Sequence, residues 1–562
     1  MDWKEAIPGA AKVAIETKDY ITYSTLLELI LEEARIKDID EQRELIKCLH
    51  EELKQEKNDH ITREISWDII GMVLPYVGKV QNEADEFVDF LAKNGNPREV
   101  FLKCCELLIN GGFESPQQFI SLNSAILSAL HRISTKRPVL FVNNFLISLF
   151  SGLANILQID SDELYCVWKI SISSIQDAMH RFPVSECYLA CLKACSILAQ
   201  LFLSKETLML SFRSLLQTKD QVAEFREELS GATTNCDKLD TLSKSIINIF
   251  DYLLSHLPES WSIITEHMAQ ELTKATYVSQ SSSISSEDEE IAKNADVPAE
   301  VDNNSTKADD KRDEIEFDTK GCLALLTIKS FYQSGNFFLD FLKEKFPSTI
   351  LETLQQLVSW EIQLDSVGFK DIAVYQGYLL DLPHFQVPDS ELEHLSSLLH
   401  GYHFMASSTE LPWLRVTCNA IVTKCLDSQL PSVRLSYILD TLEECPLLNI
   451  KTAILNYYQK QCSLVKDSNE EGLKNFVSPN TLLDVFKVFD AMEDVELDSQ
   501  SLSYIHQTLV FLYSLEIQNL LSQNQFPTVY FTKISDRINN YEGELPTDGL
   551  KYYIELLNSR NK

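Results

Sequence analysis

Apolar and polar residues follow a helical period over most of this chain. Tyr23, Leu26, Leu27, Ile30, Leu31 and Ala34 fall at i, i+3, i+4, i+7, i+8 and i+11 and line one face of a helix. Glu28, Glu32, Glu33 and Arg35 fall on the other face. Leu502, Ile505, Leu509, Leu512 and Leu520 repeat the pattern near the far end. Between Glu186 and Phe202 the run ECYLACLKACSILAQLF is apolar almost all round. Such a helix has to be covered on several sides, as in the middle of a stacked array. Pro97, Pro116, Pro138, Pro183, Pro258, Pro347, Pro388, Pro431 and Pro479 sit at or near expected helix starts. Proline is tolerated there because first-turn N–H groups have no intrahelical partner.

Breaks recur about every 20 residues, which gives helix pairs of about 40 residues, the length of HEAT or armadillo units. No segment shows convincing strand alternation. The predicted fold is all-α: an irregular HEAT/armadillo-like α-α superhelix with one long acidic loop. That loop is the stretch 279–318, which holds 13 acidic and 4 basic residues and no aromatic before Phe317. Too little apolar surface is present there to offset chain entropy, so the stretch is expected to be disordered. It divides the chain into an N-terminal helical-repeat block (1–278), an acidic linker or loop (279–318) and a C-terminal block (319–562).

Composition narrows the function. Glycine numbers 16 in 562 residues, about 3% against a usual share of roughly 7%. Glycine is where a backbone approaches a phosphate or forms an oxyanion nest, so its scarcity favours a surface over a chemical pocket. The net charge of −34 disfavours nucleic acid and anionic lipid and favours basic protein partners. The opening MDWKEAIPGA lacks the basic and apolar regions of a secretory signal. The best membrane candidate, Val139 to Leu157, carries Asn143, Asn144, Ser151 and Asn155 and reads as a buried core helix. The expectation is a soluble protein of the cytoplasm, with a nuclear share. Thirteen cysteines then read as small buried hydrophobes in a reducing compartment.

No residue set predicts catalysis, and no cofactor or metal is expected. Gly71 and Gly78-Lys79 have six residues between the glycines where a phosphate loop has four. His50-Glu51-Glu52-Leu53-Lys54 ends in the wrong residue for a zinc helix. Cys187, Cys191 and Cys195 would line one helical face as core, and Cys104-Cys105 would sit in an apolar run. His394, His400 and His403 offer no complete ligand set, and Gly401 reads as a helix boundary. Ser285 and Ser286 each precede an acid by three residues, Asp288 and Glu289, and are candidate sites for an acid-directed kinase. A solubilising tether explains the same stretch equally well.

Two stretches carry a resemblance. Trp67-Asp68-Ile69-Ile70-Gly71 runs on to Leu74-Pro75-Tyr76, and Asn96-Pro97-Arg98-Glu99-Val100-Phe101 follows about 20 residues later. This pairing resembles the family of glomulin and the fungal Yap-binding proteins over residues 60–110, with length and acidity similar to the fungal branch. Trp67, Asp68, Pro75, Asn96, Pro97 and Glu99 are read as fold determinants: Asn96, Pro97 and Glu99 as a capped helix start, and Trp67, Leu74 and Tyr76 as packing between helices. The resemblance implies a non-enzymatic adaptor that binds an AP-1-like (bZIP) transcription factor and promotes its peroxide-induced oxidation, with a thiol peroxidase as oxidant. The alternative it implies is a kinetochore-associated structural role, or inhibition of a cullin–RING ubiquitin ligase through its RING subunit. A metal or thiol enzyme is the third reading, and bound metal or an acidic thiol would mark it.

Overall fold

A computed structural model of the chain describes residues 3–80, 82–157, 164–217, 236–257, 259–284, 314–364, 366–380, 387, 389–465, 472–490, 496–521, 526–543 and 545–560. The described residues form 25 α-helices and a few single 3-10 turns, with no strand among them. The first ten helices are α1 (Trp3–Thr17), α2 (Tyr20–Ala34), α3 (Ile39–Leu53), α4 (Asp59–Val73), α5 (Glu83–Asn94), α6 (Pro97–Asn110), α7 (Pro116–Arg132), α8 (Pro138–Ile156), α9 (Leu164–Arg181) and α10 (Ser185–Lys205). Then come α11 (Leu210–Gln217), α12 (Cys236–His256), α13 (Ser260–Ile284), α14 (Thr319–Tyr332), α15 (Phe337–Lys345), α16 (Ile350–Ile362) and α17 (Val367–Leu379). The last eight are α18 (Leu392–Ser408), α19 (Pro412–Asp427), α20 (Pro431–Glu444), α21 (Leu448–Leu464), α22 (Pro479–Asp490), α23 (Ser499–Ile517), α24 (Thr528–Asn539) and α25 (Asp548–Arg560). The all-α prediction holds, and Pro97, Pro116, Pro138, Pro431 and Pro479 each open a helix.

The chain forms two compact units: residues 1–208, 225–338 and 366–368 make the first, and 209–224, 339–365 and 369–562 the second. In the first unit each helix packs on the next but one, so two layers arise. One layer runs α2, α4, α6, α8, α10 and α14; the other runs α1, α3, α5, α7, α9 and α12. This is the stacking of a helical-repeat array, in which every helix is covered by neighbours in its own layer and by the other layer. The apolar stripe of α2 explains its seat: Tyr23, Leu27, Ile30, Leu31 and Ala34 are buried. Full burial of an aliphatic side chain of this size stabilises by about 1.5–3 kcal/mol. Helix α10, apolar all round, is buried on several sides by α8, α9, α12 and α14. Trp168 of α9 meets Phe202 of α10 edge-on, with ring centroids 5.3 Å apart.

In the second unit α20, α22 and α24 stack in sequence, as do α21, α23 and α25, while α18 joins α16 to α19. Leu502, Ile505, Leu509 and Leu512 of α23 are buried as their period requires. Leu520 is not part of the stripe; the helix ends at Ile517 and Leu515 takes the core position.

The units divide elsewhere than at the acidic stretch. Helix α13 runs on through Ile284, six residues into the expected 279–318 loop, and 285–313 lie outside the described residues. Residues 314–338, beyond it, belong to the first unit. The Asp318 N–H donates to Ser196 Oγ of α10 at 2.9 Å, and its carboxylate caps α14 through the Gly321 N–H at 2.7 Å. Helix α14 then packs along α10. Conversely, α11 belongs to the second unit, although it follows α10 directly in sequence.

Helices α8 and α10 are long and apolar enough to cross a bilayer, and most of each apolar window is buried inside the fold. That matches the reading of Val139–Leu157 as a core helix.

Candidate interaction surface

The three histidines singled out in sequence have separate partners. His394 Nδ1 lies 3.4 Å from Gln355 Oε1 of α16, and His400 Nε2 lies 3.2 Å from Thr441 Oγ1 of α20. His403 Nδ1 lies 3.0 Å from the Tyr437 hydroxyl. Burial pushes His403 down to about 3, so it is neutral at physiological pH. No group of three or more His, Cys, Asp or Glu side chains is placed to hold a metal among the described residues. Gly401 is not a helix boundary: it lies inside α18, against Ile362 and Val358.

The cysteine stripe of α10 is core. Burial pushes Cys187 up to about 11 and Cys195 up to about 12, and Cys191 well above its ordinary value. Cys104 is fully buried, and burial pushes its neighbour Cys105 up to about 12. A thiol held this far above neutrality presents almost no thiolate, the form that reacts with peroxide. Among the described cysteines Cys166 is exposed. Ser285 and Ser286 lie outside the described residues.

The motif residues organise the joints among α2, α4, α5 and α6. Ser24 of α2 donates to the Asp68 carboxylate of α4, and the Tyr76 hydroxyl donates to the Leu31 carbonyl of α2. Pro75 sits in the 3-10 turn Leu74–Tyr76 that closes α4. Asn96 caps α6 by accepting the Arg98 N–H at 3.1 Å, and its own N–H donates to the Arg63 carbonyl of α4 at 3.1 Å. Pro97 takes the first helical position, and Glu99 stands exposed in the first turn, where the helix dipole favours an anion. Gly95 is obligatory for a steric reason: a Cβ there would meet the Ser66 Cβ at 2.5 Å. Trp67 departs from expectation. It is only half-buried, and its indole N–H donates at 2.9 Å to the Glu64 carbonyl one turn earlier in the same helix. Of the trio Trp67, Leu74 and Tyr76, only Tyr76 is in the core.

Each unit carries a cleft on its described helices. In the first unit a cleft of about 230 Å³ lies among α2, α4 and α6; Glu28, Glu32, Arg35, Asp68, Met72 and Lys103 line it. Asp68 and Gly71 of the sequence motif therefore face a groove as well as a joint. In the second unit a larger and more apolar groove of about 530 Å³ runs between α22 and α24 past Leu483, Phe486, Phe526 and Val529. Leu483 and Val529 are 56% and 65% exposed at its rim. The sequence reading named neither. The available signal was apolar residues on otherwise polar helix faces, which periodicity alone discounts.

Comparison with known proteins gives one family match. A family model described as YAP/Alf4/glomulin, with a label that names the kinetochore, matches residues 1–159 and 153–558. A crystal structure of SYS-1 aligns over 100% of this chain and 93% of that chain, at 11% identity and a TM-score of 0.31, too remote to carry a structural argument. The family match spans nearly the whole chain and includes the joint built by Asp68, Pro75, Asn96 and Pro97, so this protein belongs to the YAP/Alf4/glomulin family.

Proposed function

We propose that this chain is a non-enzymatic adaptor that binds an AP-1-like (bZIP) transcription factor and promotes its peroxide-induced oxidation, in the cytoplasm and the nucleus. The observation that carries the reading is a net charge of −34 on a chain whose described residues are stacked helices, which suits the basic region of such a factor. The buried thiols of α10 agree with a division of labour: the partner and a thiol peroxidase supply the reactive cysteines, and this chain holds them together. The test is a pull-down of the factor, followed by its oxidation state after peroxide in a deletion strain. Capture and a loss of oxidation on deletion are expected; unchanged oxidation ends the reading. Elemental analysis of purified protein should find no stoichiometric metal, which separates the adaptor from a metal enzyme.

The kinetochore label of the matching family model favours a second reading, a kinetochore-associated structural protein; inhibition of a cullin–RING ligase is the other alternative. Co-purification with centromere proteins or a RING subunit, with a normal peroxide response, would select one or the other.

A further inference from the structure

Helix α2 stands at the start of its layer, with α1 and α4 as its main packing partners. Its outward stripe runs Ile21, Thr25, Leu29 and Glu32, and Ile36 continues it just past the helix end. Ile21 is 81% exposed, Leu29 60% and Ile36 90%. Three large aliphatic side chains left in water along one helix face form an apolar patch of the kind that marks an interaction site. Along the side of the stripe nearer α4, Glu28 and Glu32 form the wall of the α2–α4–α6 cleft, with Asp68 opposite. The cleft also holds two bases, Arg35 and Lys103, and Lys103 is already paired with Glu106 at 3.3 Å. Apolar anchors and carboxylates thus alternate across one face.

We propose that this face docks a basic amphipathic helix of a partner protein. Its apolar side would cover Ile21, Leu29 and Ile36, and a lysine or arginine on its flank would enter the cleft against Glu28, Glu32 and Asp68. Ile21 and Ile36 are about 22 Å apart at 1.5 Å per residue, which a partner helix of about 15 residues spans. Charge complementarity selects this occupant. A second copy of the chain would bring like charge against like, and an anionic bilayer would be repelled in the same way. The inference rests on the adaptor reading only in taking the ligand to be a protein.

The test uses the full chain and a fluorescent helical peptide of about 18 residues, with leucine on one face and lysine on the other, at physiological salt. Leu29→Asp with Ile36→Asp, and separately Glu28→Lys with Glu32→Lys, should each weaken binding roughly tenfold or more. The control Glu443→Lys with Glu444→Lys, which makes the same charge change on exposed residues of α20, should weaken it less than about twofold. All the substituted residues are exposed, and thermal melts matching the wild type establish that the variants are folded. Equal loss in the control, no binding at all, or equal binding of a peptide with the same composition in scrambled order overturns the proposal. Peptide binding of the expected pattern, with no capture of a bZIP factor in the pull-down, leaves this surface standing and ends the adaptor reading instead.

Discussion

Gly321 of α14 lies against the main chain of Ser196 in α10, so close that a Cβ at position 321 would stand 2.6 Å from the Ser196 carbonyl carbon. Neither backbone can yield without displacing its helix. Gly321→Ala should destabilise the protein by about 1–3 kcal/mol, read as a lower denaturant midpoint. Gly401→Ala should act in the opposite sense. The site is mid-helix and its nearest neighbours stand at ordinary contact, 3.5 and 3.7 Å, so the change should stabilise by about 0.5–1 kcal/mol.

Asp371 is the buried anchor of α11. Its carboxylate accepts the Leu210 N–H at 2.7 Å and the Ser211 N–H at 3.1 Å, and also the Ser211 hydroxyl. Asp371→Ala should cost about 2–4 kcal/mol, because it strands donors in the interior. Burial outweighs these hydrogen bonds and the nearby Arg213, and raises the carboxyl from 3.8 to about 6. The folded state therefore holds this proton to higher pH than the unfolded chain does. The resulting stabilisation is complete below about pH 4 and is lost as pH rises through 6. Asp371→Asn should flatten that decline, measured as unfolding midpoints between pH 4 and 7.

Asn96→Ala removes the side-chain cap of α6 and leaves its backbone bond to Arg63 in place. The expected cost is about 1 kcal/mol, visible as a modest fall in Tm with unchanged helix content by circular dichroism. Asn96→Asp should restore most of it, since an aspartate accepts the same N–H.

Thiol labelling separates buried from open cysteines. Under native conditions a maleimide should modify Cys166 promptly, while Cys104, Cys105, Cys187, Cys191 and Cys195 react only after denaturant is added. Peptide mapping by mass spectrometry reads the outcome. Prompt native labelling anywhere on the α10 stripe would contradict the packing described for that helix.

Much of this architecture was legible in sequence because helices advertise their buried face. The stripe of α2 and the all-round apolar run of α10 map directly onto their neighbours, and five of the prolines expected near helix starts open a helix. Trp67 departs from the expectation because a large aromatic reads as core, whereas here it is half in water with its N–H satisfied within its own helix. Gly401 was misjudged because glycine signals a helix end only when the backbone needs an unusual conformation, and here it does not. The link from Asp371 to α11 is a long-range polar contact that no local period records. The exposed aliphatics of α2 went unremarked for the reverse reason: the periodic pattern assigns them to the polar face.

The tie between α11 and a carboxylate 161 residues away bears on how the molecule is made. Eight residues are too few to hold a helix in water unaided. On a ribosome adding about 5–20 residues per second, Leu210 emerges roughly 8–32 seconds before its acceptor exists. Through that interval Leu210, Phe212 and Leu215, all buried in the finished protein, stay uncovered on the nascent chain. A pause in translation before codon 371 would lengthen the exposure, and a holding chaperone could cover this segment until its acceptor is made.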